Sequence, residues 1–242
     1  MSAAPPSSVP PVRLLAFDTS TERMSIAVRH GDQLLEHEGA GAAQSSATLI
    51  PRIQQLLAEA GLSLAQLDAI AFGRGPGSFT GLRTACAVAQ GLAFGAGLRL
   101  LPVDTLLAVA EEARHRFGAE RVVAVLDARM DQVYAADYDF SAGPAALHES
   151  EPRLLSPDEV RVPEGWALAG NAFAAYGDRL PAAAARHELL PAAAAMLRLA
   201  PNLLKAGGGV APADAWPRYV RDKVAQTTEE RAALKAAEHT TP

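Results

Sequence analysis

One cysteine, Cys86, stands among 242 residues. No internal disulfide can form, which fits a reducing compartment, and its place in an apolar helical stretch marks it as a packed thiol rather than a reactive one. No run rich in lysine and arginine occurs, and the formal net charge is −5. Stand-alone nucleic-acid binding is disfavoured, because that affinity comes mainly from neutralising phosphates. No apolar run is long enough for a membrane span; the longest low-charge run, Thr84 to Leu98, is rich in glycine and flanked by Arg83 and Arg99. The six histidines form no HxxxH or HExxH pair, and one cysteine cannot complete a zinc site. No Gly-x-Ser-x-Gly elbow is present. The start, MSAAPPSSVPPV, lacks the basic and apolar regions of a signal peptide and reads as a disordered leader over residues 1–12. These absences predict a cytoplasmic chain with no metal centre and no catalytic constellation of its own.

What is present centres on GRGPGSFTGLR, residues 73–83. It follows a strand-like AIAF and precedes the small-residue run TACAVAQGLAFGAGL, so strand, tight loop and helix start meet there. Free N–H groups at a helix start attract anions. The loop is therefore either a phosphate cradle or a rigid piece of interface. It ends Thr80-Gly81-Leu82-Arg83, not in the Gly-Lys-Ser/Thr of a Walker A loop, and carries no GxGxxG. Arg83 suits a phosphate, a carboxylate or an interface. In the helix that follows, Ala85, Cys86, Ala87, Val88, Ala89, Leu92, Ala93 and Phe94 leave almost no polar face, which predicts burial on both sides.

A second group, FDTST at 17–21, places Asp18, Thr19, Ser20 and Thr21 at a strand end. In actin-like phosphotransferases such a turn holds phosphate and magnesium. The alternative is an Asx or Ser/Thr turn that satisfies its own backbone. Residues 25–30 and 33–38 read as a hairpin joined by Gly31-Asp32. A helix with Leu49, Ile53, Leu56, Leu57 and Ala60 on one stripe follows, with Thr48 as N-cap, Pro51 in its first turn or at a kink, and Gly61 as its stop. Strands are expected over 68–73 and 99–105, and a helix over 105–117. Residues 121–140 repeat the strand-Asp-turn-strand pattern of 14–31, with Asp127 matching Asp18. This suggests an internal duplication, although the pattern is common enough to arise by chance. Residues 166–172 read as strand and turn. Residues 181–200 carry a helical stripe at Leu189, Leu190, Ala193, Met196 and Leu197, interrupted by Pro191; 205–217 is a loop, and the polar end a frayed or solvated helix.

Together, FDTST, LAQLDAIAFGRGPGSFTGLRTACAVAQGLAFG, VDTLLAVA and VLDARMDQVYAADY resemble the TsaB (YeaZ) family over about residues 12–140, with PRYVRDKVA at 217–225 a weaker match. The resemblance implies the α/β actin-like ATPase (ribonuclease H-like) fold with two duplicated lobes, 13–104 and 105–210, and a C-terminal segment 211–242 partly packing back on the first lobe. It implies a non-catalytic partner in adding threonylcarbamoyl to adenosine 37 of tRNAs that read A-starting codons. The partners would be a TsaD-type transferase, a TsaE-type P-loop ATPase and, through them, tRNA. The transferase holds its metal through a His-x-x-x-His pair; here that region reads GAAQSSATLIP, without histidine. In the family the first two helices pair with the same helices of the transferase or of a second copy. They map onto about 46–60 and 80–97, and the interface set expected here is Leu49, Ile53, Leu56, Gly77, Ser78, Phe79, Thr80, Gly81, Arg83, Ala85, Cys86, Ala89, Leu92 and Ala93. No cofactor is implied for the chain alone, ATP or ADP with magnesium entering only with the complex. The other functional reading is an actin-like ATPase or phosphotransferase, with Asp18 and Asp127 near magnesium and Thr19, Ser20 and Thr21 near phosphate.

Overall fold

A computed structural model describes residues 12–41, 45–143 and 147–221; the expected leader up to residue 11 and the polar end beyond 221 lie outside the described residues. The chain begins with the antiparallel meander β1 (Arg13–Asp18), β2 (Arg23–His30) and β3 (Gln33–Ala40). Helix α1 (Ser45–Glu59) leads to β4 (Ala69–Gly75), α2 (Phe79–Ala96), β5 (Leu100–Asp104) and α3 (Thr105–Phe117). β4 and β5 add in parallel beside β1, so the sheet order is β3-β2-β1-β4-β5.

The second half repeats this plan. The hairpin β6 (Arg121–Arg129) and β7 (Gln132–Asp139) is extended at one side by β8 (His148–Glu149) and β9 (Arg153–Leu155). At the other side β10 (Ala167–Gly170) and β11 (Ala185–Glu188) join in parallel. The strand order and sense of the first sheet recur, with β6 in the place of β1 and β7 in that of β2. The duplicated actin-like, ribonuclease H-like fold expected from the sequence is the fold observed. Short α4 (Phe173–Tyr176) and α5 (Ala193–Lys205) complete the described chain.

Alternation along the strands explains the layers. In β1, Leu15 and Phe17 point to the outer face, under α1 and α2, with Ile26, Ile70 and Phe72. Leu14 and Ala16 point inward to a second core that also holds α3 and α5, together with Val122, Ala124 and Leu126 of the second sheet. Helices α3 and α5 thus lie between the two sheets. Both faces of each central strand are covered, which is why these strands read as continuous apolar runs. The inner face is largely alanine (Ala16, Ala27, Ala69, Ala71, Ala124), matched by Ala193–Ala195 and Ala200 of α5.

Two local expectations need correction. Thr48 is not an N-cap: α1 starts at Ser45, so Thr48 and Pro51 lie inside it. Pro51 offers no N–H to the carbonyl of Ala47, but the stripe of Leu49, Ile53, Leu56 and Leu57 is buried against the sheet and carries the helix through. Residues 181–200 are not one helical stripe. Ala185–Glu188 pairs with β10 as a parallel strand, and the helix begins only at Ala193, after Pro191.

Candidate functional site

The turn after β1 and the glycine loop after β4 fold against each other. Asp18 Oδ1 accepts from the backbone N–H of Ser20 at 2.8 Å and from its hydroxyl at 2.6 Å, an Asx turn. The Thr19 hydroxyl donates to the Gly81 carbonyl at 2.7 Å, and the Ser78 N–H donates to the Ser20 carbonyl at 2.7 Å. The Thr21 hydroxyl donates to the Arg23 carbonyl at 3.2 Å. All three hydroxyls considered for phosphate are therefore engaged with the chain itself. The glycines permit this contact. A Cβ at Gly81 would sit 2.9 Å from the Thr19 carbonyl carbon and closer still to its oxygen, and one at Gly73 would sit 2.8 Å from Asp18 Cγ.

Asp18 is fully buried, and its Oδ2 has no hydrogen-bond partner among the described residues. Burial pushes its pKa up to about 6, opposed by the Ser20 hydroxyl and amide. A carboxyl raised from 3.8 in the unfolded chain to about 6 in the fold stabilises the protein below pH 4, and this contribution is lost as pH rises through 6. A difference of that size between the two states corresponds to about 3 kcal/mol. Asp18→Asn keeps the acceptor for Ser20 and removes the charge. It should flatten this part of the pH dependence and leave the variant more stable than the parent at pH 7.5 by about 1–3 kcal/mol. Urea unfolding of both chains at pH 4.5 and 7.5 measures it, and parallel pH profiles would contradict it.

Between the lobes lies a cleft of about 350 Å³. Ser20 and Thr21, Pro76–Phe79, Asp127–Met130, Asn171 and the C-terminal stretch 218–221 border it. The structure brings Asp127 to this cleft but leaves Asp18 behind the glycine loop, outside its lining. Asp127 Oδ1 accepts from the Arg129 N–H at 2.8 Å and from the Tyr176 hydroxyl at 2.8 Å, while Oδ2 pairs with Arg129 Nη1 at 2.8 Å. Burial, followed by the bond to Asp127, pushes the Tyr176 hydroxyl up to about 12. The Asp127 amide is held by Asn171 Oδ1 at 2.9 Å. A magnesium nucleotide needs free carboxylate oxygens and cationic phosphate donors. Arg129, Arg218 and Arg221 border the cleft as cations, while both oxygens of Asp127 are engaged within the chain and no cluster of three His, Cys, Asp or Glu side chains suited to a metal occurs among the described residues.

The expected interface set divides. Leu49, Ile53, Leu56, Gly81, Ala85, Cys86, Ala89 and Ala93 are buried within the chain, all but Gly81 in the core under the first sheet. Leu92 and Gly77 are half-buried, whereas Ser78, Phe79, Thr80 and Arg83 reach the surface. The outward stripe of α2 is made by Ala87, Gly91, Phe94 and Gly95, with Phe94 83% exposed. A Cβ at Gly91 or Gly95 would have nothing within 4 Å. The α2 residues named from the sequence lie mostly on the inward stripe, whose side chains are as small as those of the outward stripe. Among the described residues no helix is long and apolar enough to cross a membrane.

A family model described as TsaD, tRNA N6-adenosine threonylcarbamoyltransferase, matches residues 40–229. The chain is 36% identical over 233 residues to the tRNA threonylcarbamoyladenosine biosynthesis protein TsaB of Escherichia coli (strain K12), covering 88% of this chain and 96% of that one. It is 47% identical over 121 residues to the protein of the same name from Haemophilus influenzae, 50% of this chain and 51% of that one. The solved structure of YeaZ from Pseudomonas aeruginosa superposes with a TM-score of 0.80 at 41% identity, covering 86% of this chain and 99% of that one.

Proposed function

This chain belongs to the TsaB family of tRNA threonylcarbamoyladenosine biosynthesis proteins, and from that premise we propose that it is a non-catalytic subunit that docks on a TsaD-type transferase through the outward face of α2. One observation carries the reading: two glycines stand exposed in the C-terminal part of an 18-residue helix, on either side of an exposed phenylalanine. Glycine inside a helix costs about 1 kcal/mol relative to alanine, and nothing in this chain fills the space beside Gly91 or Gly95. A second helix that approaches closely at that point gives those positions a reason to lack a side chain. The chain's own site supports a passive role, because the hydroxyls of the β1 turn and both oxygens of Asp127 are engaged internally.

In this reading the transferase performs the chemistry on adenosine 37 of the tRNA, and the present subunit holds it in its working form. ATP or ADP with magnesium, a TsaE-type ATPase and most of the grip on tRNA belong to the rest of the complex, which suits a net charge of −5. Such a complex works in the cytoplasm. Co-purification with the TsaD-type paralogue, followed by light scattering, tests the proposal. A stable complex is expected, with no threonylcarbamoyl transfer and no ATP turnover by this chain alone. Turnover of ATP by the purified chain would favour the phosphotransferase reading instead. A homodimer that resists the transferase at equal concentrations would show that α2 prefers a second copy.

A further inference from the structure

Residues 216–221 form no helix or strand, yet 218–221 make one wall of the interlobe cleft. The segment first follows α2. Gln90 Nε2 donates to the Ala215 carbonyl at 3.0 Å, and Arg83 Nε donates to the Tyr219 hydroxyl at 3.2 Å. The Tyr219 ring lies 5.4 Å from that of Phe79. The Arg218 N–H donates to the Arg74 carbonyl at 2.6 Å, and its guanidinium reaches Asp104 Oδ2 at 2.7 Å. All these anchors belong to the first lobe. The segment then crosses. Arg218 also pairs with Glu151, and Arg221 Nη2 donates to the carbonyls of Ala128 and Arg129 at 2.9 and 3.3 Å.

The polar contacts with the second lobe differ in kind from those with the first. They are made by arginine side chains, and Glu151 is 84% exposed. Solvent-exposed ion pairs hold weakly. Trp216 stays largely in solvent, Tyr219 is about half exposed beside Phe79, and Val220 packs, partly buried, on the core. A segment with few apolar contacts and exposed polar bonds opens at low free energy without unfolding the rest.

We propose that Trp216–Arg221 is a releasable strap that closes one side of the interlobe cleft and ties the two lobes together. Release uncovers the β6–β7 turn and opens that side of the cleft, while the shared core around α3 and α5 keeps the lobes joined. The device is built into this chain and needs no partner, so it stands or falls independently of docking through α2.

Two measurements test it on the full chain. The first is amide hydrogen exchange of the unmodified protein. The Arg218 N–H should exchange at least ~100-fold faster than amides in the centre of β1 and β6, reporting local release. Exchange of Arg218 as slow as theirs, and therefore only through global unfolding, would overturn the proposal. The second is thiol labelling of Ala128→Cys with a bulky maleimide, with the buried Cys86 background read from the chain lacking that change. Adding Tyr219→Ala and Arg221→Ala should speed labelling about tenfold. An unchanged rate in the folded variant would equally overturn it. The exchange measurement decides if the variant does not fold.

Discussion

A Gly81→Ala chain is expected to lose more than about 3 kcal/mol of stability and to melt too early for the α2 start to remain native at 37 °C. Alanine ordinarily favours a helix over glycine by about 1 kcal/mol. Here the new methyl would meet the Thr19 carbonyl at the point where the Thr19 hydroxyl is also bonded to Gly81. The obstacle is backbone, not the end of a flexible side chain, and Asp18 and Ser20 fix that backbone from the other side. Relief requires parting the β1 turn from the glycine loop, with loss of the Ser78–Ser20 bond. Thermal and urea unfolding against the parent measure the effect. The same substitution at Gly91, ten residues along the same helix, meets open space and should leave stability equal or raised. A loss at Gly91 matching that at Gly81 would show that the close approach to Thr19 is not the cause.

Gly91→Arg is expected to weaken binding to the transferase by 100-fold or more while the isolated chain stays folded. A long charged side chain placed where two helices should meet must either hold them apart or be buried without a counter-charge, and each costs several kcal/mol. The outward stripe offers nothing to accept it, since Ala87, Phe94 and Gly95 bring no carboxylate. Isothermal titration, with a thermal melt as the folding control, measures both halves of the expectation. Wild-type affinity with Gly91→Arg would remove α2 from the interface. Because a Cβ at Gly91 would have nothing within 4 Å, failure of the chain to fold is not the expected explanation of any loss.

The parts of the fold that could be read in advance are those decided by neighbours in sequence. The β2–β3 hairpin turns at Gly31-Asp32, and α3 falls between Asp104 and Gly118 as its periodicity requires. The repeat of 14–31 in 121–140 was visible because each copy places an aspartate at the end of its first strand. What was hidden depends on distant partners. Ala185–Glu188 is a strand because β10 lies beside it, not because its own residues demand one. The sequence leaves Asp18 open between a ligand turn and an Asx turn, and its enclosure by Gly73 and the Ser20 hydroxyl depends in part on a strand 55 residues away. In α2 the inward Ala85, Ala89 and Ala93 and the outward Ala87, Gly91 and Gly95 are too alike in type for composition to tell the sheet side from the open side. The stretch 216–221 has no periodicity at all, and its arginines find their partners in elements roughly a hundred residues earlier.

The placement of α5 sets an order of events during synthesis. The Ala193 N–H is held by the Ser25 hydroxyl across 168 residues of sequence, and the alanines of α5 cover the inner face of β1 and β2. On the ribosome the first sheet emerges long before the helix that caps it. Its strands can pair and its outer helices can settle, but one oily surface stays open to water until Ala193–Lys205 has been made. Over that interval the nascent protein presents the kind of surface that chaperones bind and that aggregates form on. The first lobe therefore reaches its native state only with α5 in place.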